Sequence, residues 1–351
     1  MYCQKCGTEN PDNAQKCSSC NCVLASTKSN AANPDSQKSA LAIASFILGI
    51  LGFYAWIPSI ALGIVALIQI KKSAGLLKGK SFAIAGIAIS MVWLTYFIVP
   101  SVNVIRKFDK NMKQKSQFHS IQIAIELFNN EFDSYPPSNA FDGSGQHYCG
   151  SMKLCEALMG KDLKGFHRDS VFRSDGMNEA GTAKLYSKEP EEYDPNVRIG
   201  PLLQIELANA HRLNEIFVDV GPFEGNNYVL CDIYTKKRHS GKKIGMPILY
   251  YKADTSKKLH DLNTAPTPAD SMGNIYNYWD NYELVNLCRP DKTSTHSLAN
   301  PARFYKNTRN DKITTVRRPY MADSYILISA GYDGEYGTAD DICNFEWKYR
   351  E

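Results

Sequence analysis

FAIAGIAISMVWLTYFIVPSVNVI (82–105), a basic run from Arg106 to Lys115, and SQFHSIQIAIELFNNEFDSYPPS (116–138) together decide how this chain is organised. Residues 82–105 carry no charge. About 20 apolar residues cross the ~30 Å hydrocarbon layer of a bilayer, so this part predicts a membrane-spanning helix. In the last part Phe118, Ile121, Ile125, Phe128 and Phe132 recur at steps of three and four. That is one face of an amphipathic helix. Ser134-Tyr135-Pro136-Pro137 then supplies a stop. A wholly water-soluble chain is excluded, and 16 prolines among 351 residues exclude a plain coiled coil.

Towards the amino end, Ala40 to Ile70 is also free of charge. As one straight helix it would be roughly 46 Å long, more than a bilayer needs. Two solutions stay open at this stage. One is a single tilted span. The other is a short hairpin turning at Pro58, with the aromatics Tyr54 and Trp56 at an interface. Small residues recur four apart in both segments: Ser45 and Gly49, Ser59 and Gly63, Gly86 and Ser90. Such pairs let helices approach closely in lipid. The intervening KKSAGLLKGK is basic. It nearly spells a phosphate-binding loop, but Ala74 holds the first glycine position and no strand precedes it, so no nucleotide is expected.

The net charge of +4 hides a split. Residues 71–115 hold nine Lys/Arg and one acid, whereas the remainder is acidic on balance. Positive charge therefore flanks the apolar segments, as is usual at membrane boundaries. It builds no nucleic-acid face. Lys/Arg counts near the spans do not choose between the two topologies.

Residues 1–24 contain two CxxC pairs, Cys3/Cys6 and Cys17/Cys20, ten residues apart. Two such knuckles offer four thiolates in the arrangement of closed structural Zn²⁺ sites. So short a segment buries too little apolar surface to fold alone, so a metal supplies the missing free energy. Cys22 is a fifth thiol that could replace Cys20, although the CxxC spacing favours Cys20. Lys5 and Lys16 balance Glu9 and Asp12, and a neutral knuckle is not a phosphate footprint. The chain begins MYCQKCG without a basic-then-apolar leader, so no cleavable signal peptide is expected. Residues 25–38 read as a flexible tether.

Beyond Pro137, IFVDV (216–220), YVLCDIY (228–234), PILYY (247–251) and SYILIS (324–329) are the strand candidates, separated by long connections. This pattern predicts an α+β domain with insertions. No GxSxG, HExxH or dinucleotide turn is present. His147 near Cys149 and Cys155 is the one suggestive group, and ordinary structural roles explain it better. A Cys149–Cys155 disulfide is one option for this domain, whose other cysteines are Cys231, Cys288 and Cys343.

Three resemblances join these readings. MxCxxCGxxNPxxAxxCxxC resembles the short zinc ribbons at the amino ends of many bacterial membrane proteins, departing at Asn21, where glycine is usual. Residues 39–95 (AIASFILGI … ALIQIKK … GIAIS) resemble a small bacterial membrane domain of unassigned activity. SIQIAIELFNNEFDSYPPS and the tail YILISAGYDGEYGTADDICNF resemble the helix and closing segments of the major pseudopilin of type II secretion, a type IV pilin relative. The pseudopilin likeness implies Ca²⁺ in the tail, held by Asp333, Asp340 and Asp341 with Glu335 nearby, and with Gly331, Gly334 and Gly337 turning the backbone. A prepilin cleavage site is not found before Phe82 or Ala40, so pilin-type processing is not expected.

The expected architecture is multidomain. It comprises a zinc ribbon (1–24), a linker (25–38), an α-helical transmembrane module of two or three spans (39–105), and an α+β pilin-like domain (106–351). In that domain a long amino-terminal helix packs on an antiparallel sheet with long insertions. The expected function is a non-enzymatic, multi-pass protein of the bacterial inner membrane. Its cofactors are Zn²⁺ at Cys3, Cys6, Cys17 and Cys20, and candidate Ca²⁺ in the tail. Its large domain faces the periplasm or exterior and binds a protein or the envelope, in connection with type II secretion or pilus-like systems. Nucleic acid is not an expected partner. The alternatives are a membrane-tethered hydrolase with its site in residues 140–320, or a true pseudopilin subunit.

Overall fold

The computed structural model describes residues 2–11, 14–23, 38–51, 55–73, 77–186, 194–287 and 294–349, side chains excepted at 97–100 and 264. Nearly all of the 25–38 linker, Tyr54 and Cys288 lie outside the described residues. The chain divides into two compact units, Met1–Val104 and Ile105–Glu351. It is mixed α/β, with small antiparallel sheets and one long apolar helix.

In the first unit, Ala40–Ile70 is not one helix. It forms α1 (Ala40–Ile50) and most of α2 (Trp56–Lys72), and α3 (Lys80–Phe132) begins after the basic loop. The break precedes Pro58, which sits in the first turn of α2. There a missing N–H costs nothing, because the first N–H groups of a helix have no partner within it. Ser39 caps α1 through a side-chain bond to the Ala42 N–H. At about 1.5 Å per residue, α1 and α2 are shorter than the ~30 Å hydrocarbon layer. Among the described residues α3 alone is long and apolar enough to cross a membrane.

The three helices meet on their small residues. The Ser45 hydroxyl donates to the Ser59 carbonyl at 2.9 Å, and the Ser59 hydroxyl donates back to the Ser45 carbonyl at 2.7 Å. The Ser90 hydroxyl reaches Ser59 Oγ at 2.8 Å. Ser45, Ser59 and Ser90 are fully buried. A Cβ on Gly86 would stand 2.5 Å from Ser45 Oγ and 2.7 Å from the Ser45 carbonyl carbon, and one on Gly63 would stand 2.6 Å from Ile87. These contacts pair 45 with 63 and 49 with 59, so α1 and α2 run antiparallel. The Ser39 N–H donates to the Lys78 carbonyl at 2.8 Å, which sets the start of α3 beside the start of α1. Meanwhile Ile47, Ile57, Ile64, Ile68, Ile84 and Val92 face outward, an apolar exterior around a polar, small-residue seam. Water would disfavour this inversion of a globular helix packing, and lipid permits it.

In the second unit the rest of α3 lies on a sheet. Phe118, Ile121, Ala124, Ile125 and Phe128 are buried, and Phe132 packs at the edge of their cluster. A three-stranded antiparallel sheet runs β3 (Leu249–Lys252), β4 (Tyr325–Ser329), β5 (Ile342–Cys343), with Leu249 opposite Ile328 and Ile328 opposite Cys343. The hairpin β1 (Ala210–Arg212) and β2 (Tyr228–Leu230) adjoins β3 through a bridge between Cys231 and Pro247. Side chains alternate across the sheet, as a strand period of two requires. Ile248, Tyr250, Tyr325 and Leu327 join the α3 cluster, whereas Leu249, Tyr251, Ile326 and Ile328 join a second cluster with Tyr276, Phe304 and Tyr336. Both sheet faces are therefore buried, and the long connections form the second layer.

A helix unforeseen from the sequence, α4 (Gly150–Met159), is buried along its whole length. It serves both clusters: Met152 in one, Leu154, Ala157 and Leu158 in the other. Gly150 is required because a Cβ there would come 2.4 Å from the Tyr250 carbonyl oxygen. Polar groups fix α3 lengthwise. Gln117 Nε2 donates to the Leu207 and Cys231 carbonyls at 2.8 and 2.9 Å, Gln114 Oε1 accepts from the Ile233 N–H at 3.0 Å, and the Tyr234 hydroxyl reaches Asn111 at 2.6 Å.

Two expectations fail. IFVDV is no strand: Leu213–Ile216 is a helical turn, and Ile216 and Phe217 are both buried while Val218 is 83% exposed, which breaks strand alternation. The other three candidates coincide with β2, β3 and β4. Cys149 and Cys155 form no disulfide. Cys149 caps α4 and faces one cluster, while Cys155 faces the other.

The glycine at the helix crossing gives a direct test. Gly86→Leu should push α1 away from α3 and cost about 1–3 kcal/mol through overpacking. Thermal melting of the detergent-solubilised chain should show a lowered transition. An unchanged melt would mean the crossing is looser than described.

Candidate metal centre

The first 23 residues contain a 14-residue repeat whose geometry explains the cysteine placement. Tyr2 bridges Glu9, and Lys16 bridges Val23. The Cys3 N–H donates to the Thr8 carbonyl at 2.9 Å, and the Cys17 N–H to the Cys22 carbonyl at 2.8 Å. The Gly7 N–H returns to the Cys3 carbonyl, and the Asn21 N–H to that of Cys17. Each knuckle needs one left-handed residue, Gly7 at φ +73° and Asn21 at φ +57°. Asparagine is one of the few side chains that enter this region readily, so Asn21 fills the glycine position without breaking the turn.

The two turns bring Cys3, Cys6, Cys17 and Cys20 together, with all four sulfurs within 4.8 Å of one another. Cys3 and Cys20 are 3.5 Å apart, and Cys6 and Cys17 are 3.4 Å apart. Thiolates around a tetrahedral ion with ~2.3 Å bonds lie about 3.8 Å apart, so the set is close to closed. These four cysteines could hold a metal ion. Among the described residues no other group of three or more His, Cys, Asp or Glu does so.

Asn10 holds the knuckles together. It is 3% exposed, its Oδ1 accepts from the Ser18 N–H and hydroxyl, and its Nδ2 donates to the Thr8 carbonyl and to Cys17 Sγ. The sequence likeness included Asn10 without giving it this role. The four thiols sit in unequal local fields. The Cys20 and Ser19 N–H groups bring the Cys17 thiol down to about 6 against the effect of burial. Thr8 lowers Cys6 through its hydroxyl and N–H. Cys20 receives the Cys22 N–H, yet the crowding of Cys6, Cys3 and Cys17 together with burial drives it up. As four thiolates they would repel one another at this spacing unless a cation lay among them. Cys22 is the repeat partner of Thr8 and lies outside the ligand set, packed on its edge.

The tail acids occupy a tight turn before β5. Gly331, Gly334 and Gly337 all have positive φ, at +64°, +74° and +89°. Asp340 Oδ2 accepts from the Tyr332 and Asp333 N–H groups at 2.7 and 3.1 Å, and Asp341 Oδ2 from the Gly337 N–H at 2.7 Å. Asp333 Oδ1 accepts from the Glu335 N–H at 2.8 Å. Burial and the facing Asp340 raise the Asp333 pKa. Burial also raises Asp341 well above the usual range, more than its bonds from Gly337 and Thr338 lower it. For Asp340, burial is outweighed by the Asp333 and Thr338 bonds and by Lys107, 4.0 Å away, which bring it down. The turn thus gathers three acids, although they do not converge as the four sulfurs do. His147 is not part of a site: its ring packs between Phe141 and Phe223.

Comparison of the chain with protein-family models, with curated proteins and with solved structures found no match. Its functional reading therefore rests on its own residues.

The ligand set makes a clear prediction. Metal analysis by mass spectrometry of the purified chain should find bound metal in the wild type and in Cys22→Ser, and none in Cys17→Ser. Retention of metal by Cys17→Ser would exclude the four-sulfur centre.

Proposed function

We propose that this chain is a non-enzymatic, membrane-anchored binding protein. It would present a structural zinc ribbon to the cytoplasm and a pseudopilin-like domain to the other side of the bacterial inner membrane, within a secretion or pilus-like system. The observation that carries this reading is α3. Its amino-terminal half has an apolar exterior, and its carboxy-terminal half lays Phe118, Ile121, Ile125 and Phe128 on an antiparallel sheet. A span continuing into a sheet-packed helix is the pilin layout that the sequence likeness implies.

The same-end placement of the α1 and α3 starts favours the hairpin form of the topology. Lys38, Lys71, Lys72, Lys78 and Lys80 then lie at one end of the three helices. With the ribbon on that side, eight Lys/Arg in residues 1–80 face five in residues 106–115. The positive-inside rule places the richer side in the cytoplasm. The soft thiolate donors and closed four-sulfur geometry of the ribbon favour borderline-soft Zn²⁺ over hard, oxygen-seeking ions. In the tail, the charge crowding of Asp333, Asp340 and Asp341 suits a hard cation such as Ca²⁺, which takes six to eight oxygens. Asp333, Glu335, Asp340 and Asp341 would supply the carboxylates.

The topology is tested by labelling. Ser144→Cys places a thiol at an exposed position of the second unit. A membrane-impermeant maleimide should label it in intact spheroplasts and should reach the ribbon cysteines only after lysis. Labelling in the reverse order would overturn the orientation. Separately, Ca²⁺ should raise the melting temperature of the wild type but not of Asp340→Asn. An equal response, or none, would remove the tail ion.

A further inference from the structure

The second unit contains a cleft of about 780 Å³ between the end of α4 and the β1–β2 hairpin. That is within the range of small-molecule sites, roughly 300–1,000 Å³. Its walls hold no aliphatic side chain and no aromatic other than tyrosine. An apolar ligand would leave those polar walls without partners.

The back wall is preorganised. Glu156 is 1% exposed and accepts from the Tyr148 hydroxyl at 2.6 Å, the Ser170 hydroxyl at 2.5 Å and the Tyr186 hydroxyl at 2.9 Å. Lys161 Nζ donates to Asn227 Oδ1 at 2.8 Å and contacts the Tyr148 hydroxyl at 3.3 Å. Asn227 is itself 5% exposed, and its Nδ2 has no partner. Two of the acids lining the cleft are already neutralised, Asp162 by Arg198 at 3.1 Å and Asp175 by Arg173 at 2.7 Å. Arg212 spends only its Nε, on the Tyr228 hydroxyl at 3.1 Å, with its guanidinium over that ring. Among the described residues its two terminal nitrogens and the Lys184 amine make no hydrogen bond or ion pair, and the Glu224 carboxylate makes none either, although its charge acts on the nearby Lys161.

The groups left without a hydrogen-bond partner are thus a guanidinium fork, an ammonium and one carboxylate, the last shared electrostatically with Lys161. A fork of two parallel N–H donors matches a carboxylate, and a lone carboxylate matches a hydroxyl or ammonium donor. We propose that this cleft binds a small polar carboxylate bearing a hydrogen-bond donor, the chemistry shared by sugar acids and amino acids. Arg212 and Lys184 receive the acid group, and Glu224 receives the donor. The site lies wholly within the second unit, and its chemistry is independent of membrane side, ribbon metal and pilin likeness.

Isothermal titration of the full detergent-solubilised chain with sodium glucuronate, L-glutamate and neutral glucose tests this. At least one acid should bind at millimolar concentration or below, with glucose about tenfold weaker or worse. Arg212→Gln should weaken the acid about tenfold, the scale of a charge-assisted hydrogen bond. Lys184 is exposed and unpaired, so Lys184→Gln leaves the fold alone; it should weaken binding about two- to fivefold. Glu224→Gln separates the sources: it should cost glutamate more than glucuronate, because an ammonium needs the charge and a hydroxyl does not. Binding of neither acid above glucose, or wild-type affinity in both Arg212→Gln and Lys184→Gln, would overturn the proposal.

Discussion

A single hydrogen-bonded helix of 53 residues serves two kinds of neighbour, and the rest of the chain follows from that constraint. A helix hides its own backbone polar groups, so its side chains alone decide what it can lie against. Along the first part of α3 the buried positions are Ala83, Gly86 and Ser90, and the outward ones are large and apolar. Along the last part Phe118, Ile121 and Ile125 point inward, and the exposed face mixes His119, Glu126 and Asn130 with Ile123 and Leu127. Large inside with a partly polar outside suits water. Small inside and large outside suits lipid, where close backbone approach and buried hydroxyl pairs can hold helices together. The serine exchange between Ser45 and Ser59 is such a pair.

The sheet beneath α3 inherits a further demand. Because α3 and α4 cover one face, the other face, lined by Leu249, Tyr251, Ile326 and Ile328, needs its own cover. The long connections of 254–323 provide it with Tyr276, Tyr278, Phe304 and Tyr305 rather than with a second regular layer. Irregular backbone in such a position has to satisfy its own polar groups. Side chains do much of this here: Asn281 Nδ2 donates to the Tyr250 carbonyl at 2.6 Å, and its Oδ1 accepts from the Ser151 N–H at 2.9 Å.

How much of this could be read from the residues depended on whether one physical pattern dominated locally. The α3 face, the six small residues and the CxxC knuckles each follow a fixed period or spacing, and each lies where that spacing puts it. The strands β3 and β4 were legible because PILYY and SYILIS are rich in branched and aromatic residues. By contrast α4 was illegible because a helix buried all round has no polar face and so no amphipathic period. Lys153 and Glu156 are residue types that usually stay at the surface, yet both are buried: Lys153 caps the Asn139 and Phe141 carbonyls, and Glu156 collects three hydroxyls. The clamp of Gln114 and Gln117 was hidden for the same reason, since glutamine on a helix usually marks the wet side. IFVDV misled because branched residues suit a turn packed on a core as well as a strand.

The ribbon is the opposite extreme, a fold with almost no core. Among the described residues its buried apolar side chains are Cys3 and Cys17, with Ala14, Cys20 and Cys22 packed against them. At about 25 cal/mol per Å² such burial offsets little of the ~1–2 kcal/mol per residue of backbone entropy lost on ordering. The backbone bonds of the two knuckles and the Asn10 clamp add specificity, but each is worth only about 1 kcal/mol net. What remains is the attraction four sulfurs would have for one cation, which is of the order of 10 kcal/mol for structural metal sites. Were a cation bound there, the sulfurs would repel one another as thiolates on its loss, and the fold around them would go with it.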